Sequence, residues 1–143
     1  MAVKSARKLI LVIDREPTNR DWLKQVLTSA GYDVLTARGG PQALAQADKN
    51  RIDLVITSLA TPEPALRTLQ IGRPQLKIVA TTGTLDSATL RAADLRGAQA
   101  VLTRPLGSKV LLQRVAVLLK SRPVAYAASE EPPAFPANRR VPR

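Results

Sequence analysis

The stretch Leu9-Ile10-Leu11-Val12-Ile13-Asp14-Arg15-Glu16-Pro17 decides how the rest of the chain is read. Five apolar residues in a row, without the alternation of a strand that faces water on one side, indicate a strand covered on both faces, and Asp14 ends it. Such a strand belongs in a parallel sheet, where neighbouring strands are joined by crossover helices. Glu16 and Pro17 suit the opening of one: proline fits the first helical turn, and an acid complements the positive end. Trp22, Leu23, Val26, Leu27 and Ala30 recur at helical spacing over about 17–30, and Gly31 stands where a left-handed cap is expected.

The same rhythm continues toward the C terminus. Tyr32 to Thr36 reads as a short strand, Gly39-Gly40-Pro41 opens a helix through Ala43, Leu44 and Ala47, and Ile52 to Thr57 is a third strand. Thr61-Pro62-Glu63-Pro64 then breaks regular structure and leaves room only for a short helix over Ala65 to Gln70, before Gly72 and Pro74. Lys77 to Thr82 is a strand, Asp86 to Arg96 a helix closed by Gly97, Ala100 to Thr103 a strand, and Ser108 to Lys120 a helix. The expected fold is α/β: a five-stranded parallel sheet with helices on both faces and right-handed crossovers, flavodoxin-like.

The chain has 143 residues, 45% of them apolar, which suits one domain with a sizeable core. Expected boundaries are a basic extension over 1–8, the domain over 9–120, and a tail over 121–143 rich in proline and ending in Arg139-Arg140-Val141-Pro142-Arg143. With no Cys and no His, the sequence excludes disulfides, thiolate nucleophiles, Cys/His zinc sites and histidine bases. No apolar run approaches the roughly 20 residues that span a bilayer, and a cytoplasmic, bacterial protein is expected. Twenty-two Lys and Arg against 11 Asp and Glu give a net charge of +11, which favours anionic partners. Only four aromatic residues (Trp22, Tyr32, Tyr126, Phe135) are present, too few for a base-stacking platform.

In an open parallel sheet, chemistry gathers beyond the carboxyl ends of the strands, where strand order reverses. That rule selects Asp14, Arg15 and Glu16, then Thr57 and Ser58, Thr81 and Thr82, and Arg104-Pro105. From Lys8 to Leu119 the chain resembles the receiver domain of two-component response regulators. Ile10 to Pro17 is similar to the family's first strand with its acidic cluster, and Asp53 to Pro62 to the strand that carries the phosphorylated aspartate. Val79 to Gly83 is similar to the strand with the switch hydroxyl, and Gly97 to Pro105 to the run that ends in Lys-Pro.

The resemblance implies a pocket in which two acids and an aspartate hold Mg²⁺, a lysine neutralises the phosphoryl oxygens and a hydroxyl follows the new phosphate. Asp14 matches the first acid and Thr82 the switch hydroxyl, with Thr81 as the alternative register. Arg15 stands where the second acid belongs, Ser58 where the acceptor aspartate belongs, Arg104 where the lysine belongs, and Val101 at the aromatic switch position. The segment between Ser58 and Thr82 is also shorter than the family pattern. Asp14, Arg15, Ser58 and Arg104 sum to +1 where three aspartates and a lysine would give −2. A unit charge ~4 Å away is worth on the order of 4 kcal/mol at an effective dielectric of 20.

No Mg²⁺, no cofactor, no acyl phosphate and no catalytic residue are therefore expected. Asp14 is expected to pair with Arg15 or Arg104 in place of the metal, or the pocket to take an anion; Ser58 is expected to be packed, Thr82 to bond backbone, and the Arg104-Pro105 peptide to be cis. The function so implied is a pseudo-receiver: a phosphorylation-independent binding module for a signalling or output protein. A second copy of the chain could also dock, through the 86–120 face that the family uses for output. The alternative is a nucleic-acid-associated protein that uses its basic ends for electrostatic contact.

Overall fold

The computed structural model describes residues 7–60 and 64–120. Along it alternate β1 (Leu9–Ile13), α1 (Pro17–Ser29), β2 (Asp33–Ala37), α2 (Gly40–Lys49), β3 (Leu54–Ser58), α3 (Pro64–Ile71), β4 (Lys77–Thr82), α4 (Ser87–Leu95), β5 (Ala100–Thr103) and α5 (Ser108–Leu119). The strands form one parallel sheet in the order β2-β1-β3-β4-β5. Strand order therefore reverses between β1 and β3, and the crevice beyond their carboxyl ends is where this architecture places a site. The expectations for the proline-rich tail and for residues 1–6 and 61–63 lie outside the described residues.

The unbroken apolar run of β1 serves two cores. Ile10 and Val12 point to one face, where they meet Leu23 and Leu27 of α1 and Leu111, Val115 and Leu119 of α5. Leu11 and Ile13 point to the other, against Ala43 and Ala47 of α2 and Leu66 and Leu69 of α3. Each fully buried Leu or Ile contributes roughly 2 kcal/mol of transfer free energy, so neither face of the sheet can go uncovered. Trp22 packs at the margin of the first cluster, half-buried.

Two glycines set the helix ends. Gly31 takes φ of 100°, its N–H donates to the Thr28 carbonyl, and the Tyr32 N–H reaches back to Leu27. This Schellman arrangement keeps Tyr32 in the helix cap and in the first core, so β2 begins at Asp33, one residue later than the apolar pattern suggests. Gly97, with φ of 78°, closes α4 in the same way, its N–H on the Asp94 carbonyl and that of Ala98 on Ala93. At the other end of α4, Oδ1 of Asp86 accepts the Thr89 N–H at 2.8 Å. That hydrogen bond holds the Asp86 carboxyl below the usual carboxylate range.

β3 also differs from the expected Ile52–Thr57 span. Asp53 lies just before it, where its carboxylate accepts the Leu9 N–H at 2.8 Å and its own N–H donates to the Leu9 carbonyl at 2.9 Å. The ladder then runs to Ser58, which pairs with Thr81 of β4. Ser58 thus belongs to the sheet itself rather than to the loop after it.

Candidate functional site

The carboxyl ends of β1, β3, β4 and β5 bring Asp14, Ser58, Thr81, Thr82 and Arg104 together, and the first four are buried. Register explains the row: Ile13 pairs with Thr57 and Ser58 with Thr81, which leaves Asp14 beside Ser58 at the point of strand reversal.

Asp14 ends β1 and its side chain turns back onto the start of α1. Oδ1 accepts the Glu16 N–H at 2.9 Å, and Oδ2 accepts the Asn19 side-chain amide at 3.3 Å. Glu16, the residue preceding α1, caps nothing with its own side chain, so Asp14 does the work of organising this turn. Arg20, one turn into α1, places Nη1 2.7 Å from the Asp14 carbonyl oxygen and 3.2 Å from that of Arg15. Neutral amide donors thus fix the carboxylate's turn, and the charged Arg20 fixes the backbone at the strand end.

The expected ion pair does not form. The Asp14 carboxylate is held by amide N–H groups rather than by an arginine, whereas Arg7 pairs with Asp33 at 3.4 Å, far from this pocket. Arg15 is exposed, as is Glu16, because the chain leaves the sheet at Asp14 and carries both side chains out to solvent. Neither shares the enclosed space with Ser58. The pocket's basic character comes from Arg104 and from Arg20, a residue that the motif reading did not single out. Its signal in the sequence is its place in the first turn of α1, where a long side chain leans back over the preceding strand end.

At the other end of the row, Ser58 Oγ accepts the Ala60 N–H at 3.2 Å. Arg104 donates from Nη1 to Thr81 Oγ1 at 3.1 Å, and its backbone N–H donates to the Thr82 carbonyl at 2.8 Å. The Arg104-Pro105 peptide is cis. Thr82 turns to its own loop instead: its hydroxyl donates to the Thr84 carbonyl at 2.9 Å and accepts the Thr84 N–H at 3.2 Å. Of the two candidate hydroxyls, Thr81 is the one that meets the arginine, and Thr82 ties the turn. Val101, one strand over, is half-buried, and the exposed Pro105 follows Arg104 out of the sheet.

Mg²⁺, the ion implied by the resemblance, needs octahedral oxygen ligands with carboxylates among them. The residues present do not fit it. Asp14 is the one buried carboxylate at the strand ends, both of its oxygens already accept hydrogen bonds, and Arg104 brings a cation to the same row. Among the described residues no three His, Cys, Asp or Glu side chains gather at any point.

The response regulator receiver domain model matches residues 10–116. The transcriptional regulatory protein KdpE of Mycobacterium tuberculosis is 34% identical over 128 residues, covering 87% of this chain and 56% of that protein. The sensor histidine kinase RcsC of Escherichia coli is 32% identical over 114 residues, covering 76% of this chain and 12% of that protein. The chain thus spans about half, or less, of the length of these curated relatives. Among solved structures, the chemotaxis protein CheY4 of Vibrio cholerae superposes with a TM-score of 0.74 at 24% identity, over 79% of this chain and 99% of that one. A two-component response regulator from Clostridium difficile gives 0.74 at 21% identity, over 80% and 97%. Fold, family model and relatives agree that the chain belongs to the response regulator receiver domain family.

Proposed function

We propose that this receiver domain works without phosphorylation, as a pseudo-receiver that binds a partner in two-component-type signalling. The observation that carries the reading is Ser58, buried at the end of β3 and bonded to the Ala60 N–H, in the position where the family carries its acceptor aspartate. A neutral hydroxyl lacks the carboxylate's nucleophilicity toward a phosphohistidine, and the oxygens of the neighbouring Asp14 accept from Glu16 and Asn19 rather than from Ser58. The divalent cation that would neutralise a transferring phosphoryl group has no adequate ligand set, and Arg104 is engaged with Thr81. The fold then serves as a scaffold for contact surfaces, with no catalysis of its own.

The relatives include transcriptional regulators and a sensor kinase, so the partner is a signalling or output protein. The 86–120 face is one surface for it or for a second copy of the chain. No helix among the described residues is long and apolar enough to cross a membrane, in keeping with a cytoplasmic module. The nucleic-acid alternative rests on net charge alone and gains nothing from the site.

Incubation with acetyl phosphate and Mg²⁺, followed by intact-mass measurement, tests the proposal. The expected mass is that of the unmodified chain. An acid-stable adduct on Ser58 or a hydroxylamine-sensitive one on any aspartate overturns it.

A further inference from the structure

We infer that the paired C-terminal ends of α3 and α4 form a docking surface for an acidic, amphipathic segment of a partner protein. The inference deepens the interaction-module reading by naming a surface and the chemistry of what it takes. Ile71 and Leu95 are 76% and 74% exposed, the two most exposed large apolar residues among those described. Each is the last residue of its helix. Single exposed apolar residues need no explanation, but these two stand next in sequence to the two ends of one interhelical hydrogen bond. The Gln70 side chain donates from Nε2 to the Arg96 carbonyl at 2.9 Å, which ties the end of α3 to the end of α4. On the far side of that link, Arg96 reaches the Leu59 carbonyl at 3.4 Å. The junction is therefore held in place before any partner arrives.

Charge then selects the partner. Arg67 precedes Ile71 by four residues and Arg91 precedes Leu95 by four, so each apolar side chain has an arginine one turn behind it on the same helix face. Both arginines are exposed, and neither has an ion-pair partner among the described residues. Asp94, the nearest acid on α4, is three residues from Arg91 and so about 60° from it round the helix, yet no ion pair joins the two. The patch therefore combines two apolar contacts with two exposed cations that form no ion pair among the described residues. A second copy of this chain would set arginine against arginine, in a molecule of net charge +11. An amphipathic segment with leucine-like residues on one side and carboxylates along its edges supplies both complements.

The test uses the full chain, labelled with ¹⁵N, and a synthetic helical peptide with a leucine face flanked by glutamates. A control peptide carries lysine at every glutamate position. The expected result is a saturable titration with the glutamate peptide alone, with shifts centred on the 67–72 and 91–97 amides and an affinity that falls as salt rises. The exposed double variant Arg67→Glu/Arg91→Glu should weaken binding by at least about tenfold, with an unchanged thermal midpoint. Ile71→Ser/Leu95→Ser should weaken it independently of salt. Equal binding of both peptides, shifts centred on α5, undiminished binding by the charge-reversed variant, or no binding overturns the inference. So does patch binding by phosphatidylglycerol vesicles without peptide binding, or self-association through the patch. None of these outcomes alters the acetyl phosphate result, so the two proposals fail separately.

Discussion

Replacing Asp14 by alanine removes the acceptor that organises the turn from β1 into α1. The Oδ1 contact with the Glu16 N–H, at 2.9 Å, is part-buried and charge-assisted, and such bonds contribute about 1.5–3 kcal/mol. The Oδ2 contact with Asn19, at 3.3 Å, is longer and adds on the order of 0.5 kcal/mol. Against these stands the relief of burying a carboxylate that has no cation paired to it, so the net loss is set at about 2 kcal/mol. For a domain of this size that corresponds to a fall in Tm of roughly 8 °C. Asp14→Asn keeps one acceptor for the Glu16 N–H and should lose about half as much. Calorimetry of the three proteins, with and without Mg²⁺, measures it. A Tm that stays level or rises in Asp14→Ala, together with stabilisation of the parent chain by Mg²⁺, would show that Asp14 is a strained metal ligand and refute its structural role.

Three further outcomes follow from the packing. Leu111→Ala, at a fully buried position of α5, should destabilise the domain by about 2–5 kcal/mol in urea unfolding, with the m-value unchanged. Gly97→Ala places a Cβ 2.6 Å from Gln70 Nε2 at a φ of 78°. Because the Gln70 amide can swing aside, the left-handed backbone should dominate the loss, at about 1–2 kcal/mol, and the Gln70 amide resonances should report the broken link to Arg96. The Asp86 carboxyl is held below the usual carboxylate range by the Thr89 N–H, so its contribution is complete above the ordinary value near ~3.9 and fades as pH falls through the lowered one. Asp86→Asn should remove that acid-side loss of α4 stability, read as hydrogen exchange at Thr89 and Leu90 between neutral and acidic pH; an unchanged pH profile would show that the cap does not titrate there.

The fold was legible because its decisive features are local. The run from Leu9 to Ile13 reports burial on both faces without reference to anything distant, and Gly31 marks a helix end by backbone chemistry alone. α3 gives a weaker signal because its eight residues lie between proline-rich and glycine-containing segments, and among the side chains described Leu66 and Leu69 mark its buried side. The start of β2 was displaced because Tyr32, a good strand residue, is taken up by the cap of α1. In the site, residue types at the strand ends could be read from the sequence, but their directions could not. Arg15 follows Asp14 directly and so entered the pocket's charge balance, yet the chain turns there and leaves it in solvent. Arg20 took its place from one turn further on, through contacts to two backbone carbonyls that no residue pattern encodes. Thr81 and Thr82 are indistinguishable by type; strand pairing sets the Arg104 backbone beside Thr82, and only the side-chain contact shows that the guanidinium meets Thr81.

Phosphorylation independence is tested most directly by offering the chain a phosphoryl mimic that needs no enzyme. A ¹H–¹⁵N spectrum of the labelled protein, recorded before and after addition of excess Mg²⁺ and beryllofluoride, reports the amides of Ser58, Thr81, Thr82 and Arg104 individually. The expected result is no saturable shift at these positions and none propagated to α4 or β5. Saturable, Mg²⁺-dependent shifts at Ser58 and Thr82 that spread to Val101 would contradict the proposal and place this chain among the phosphorylatable members of its family.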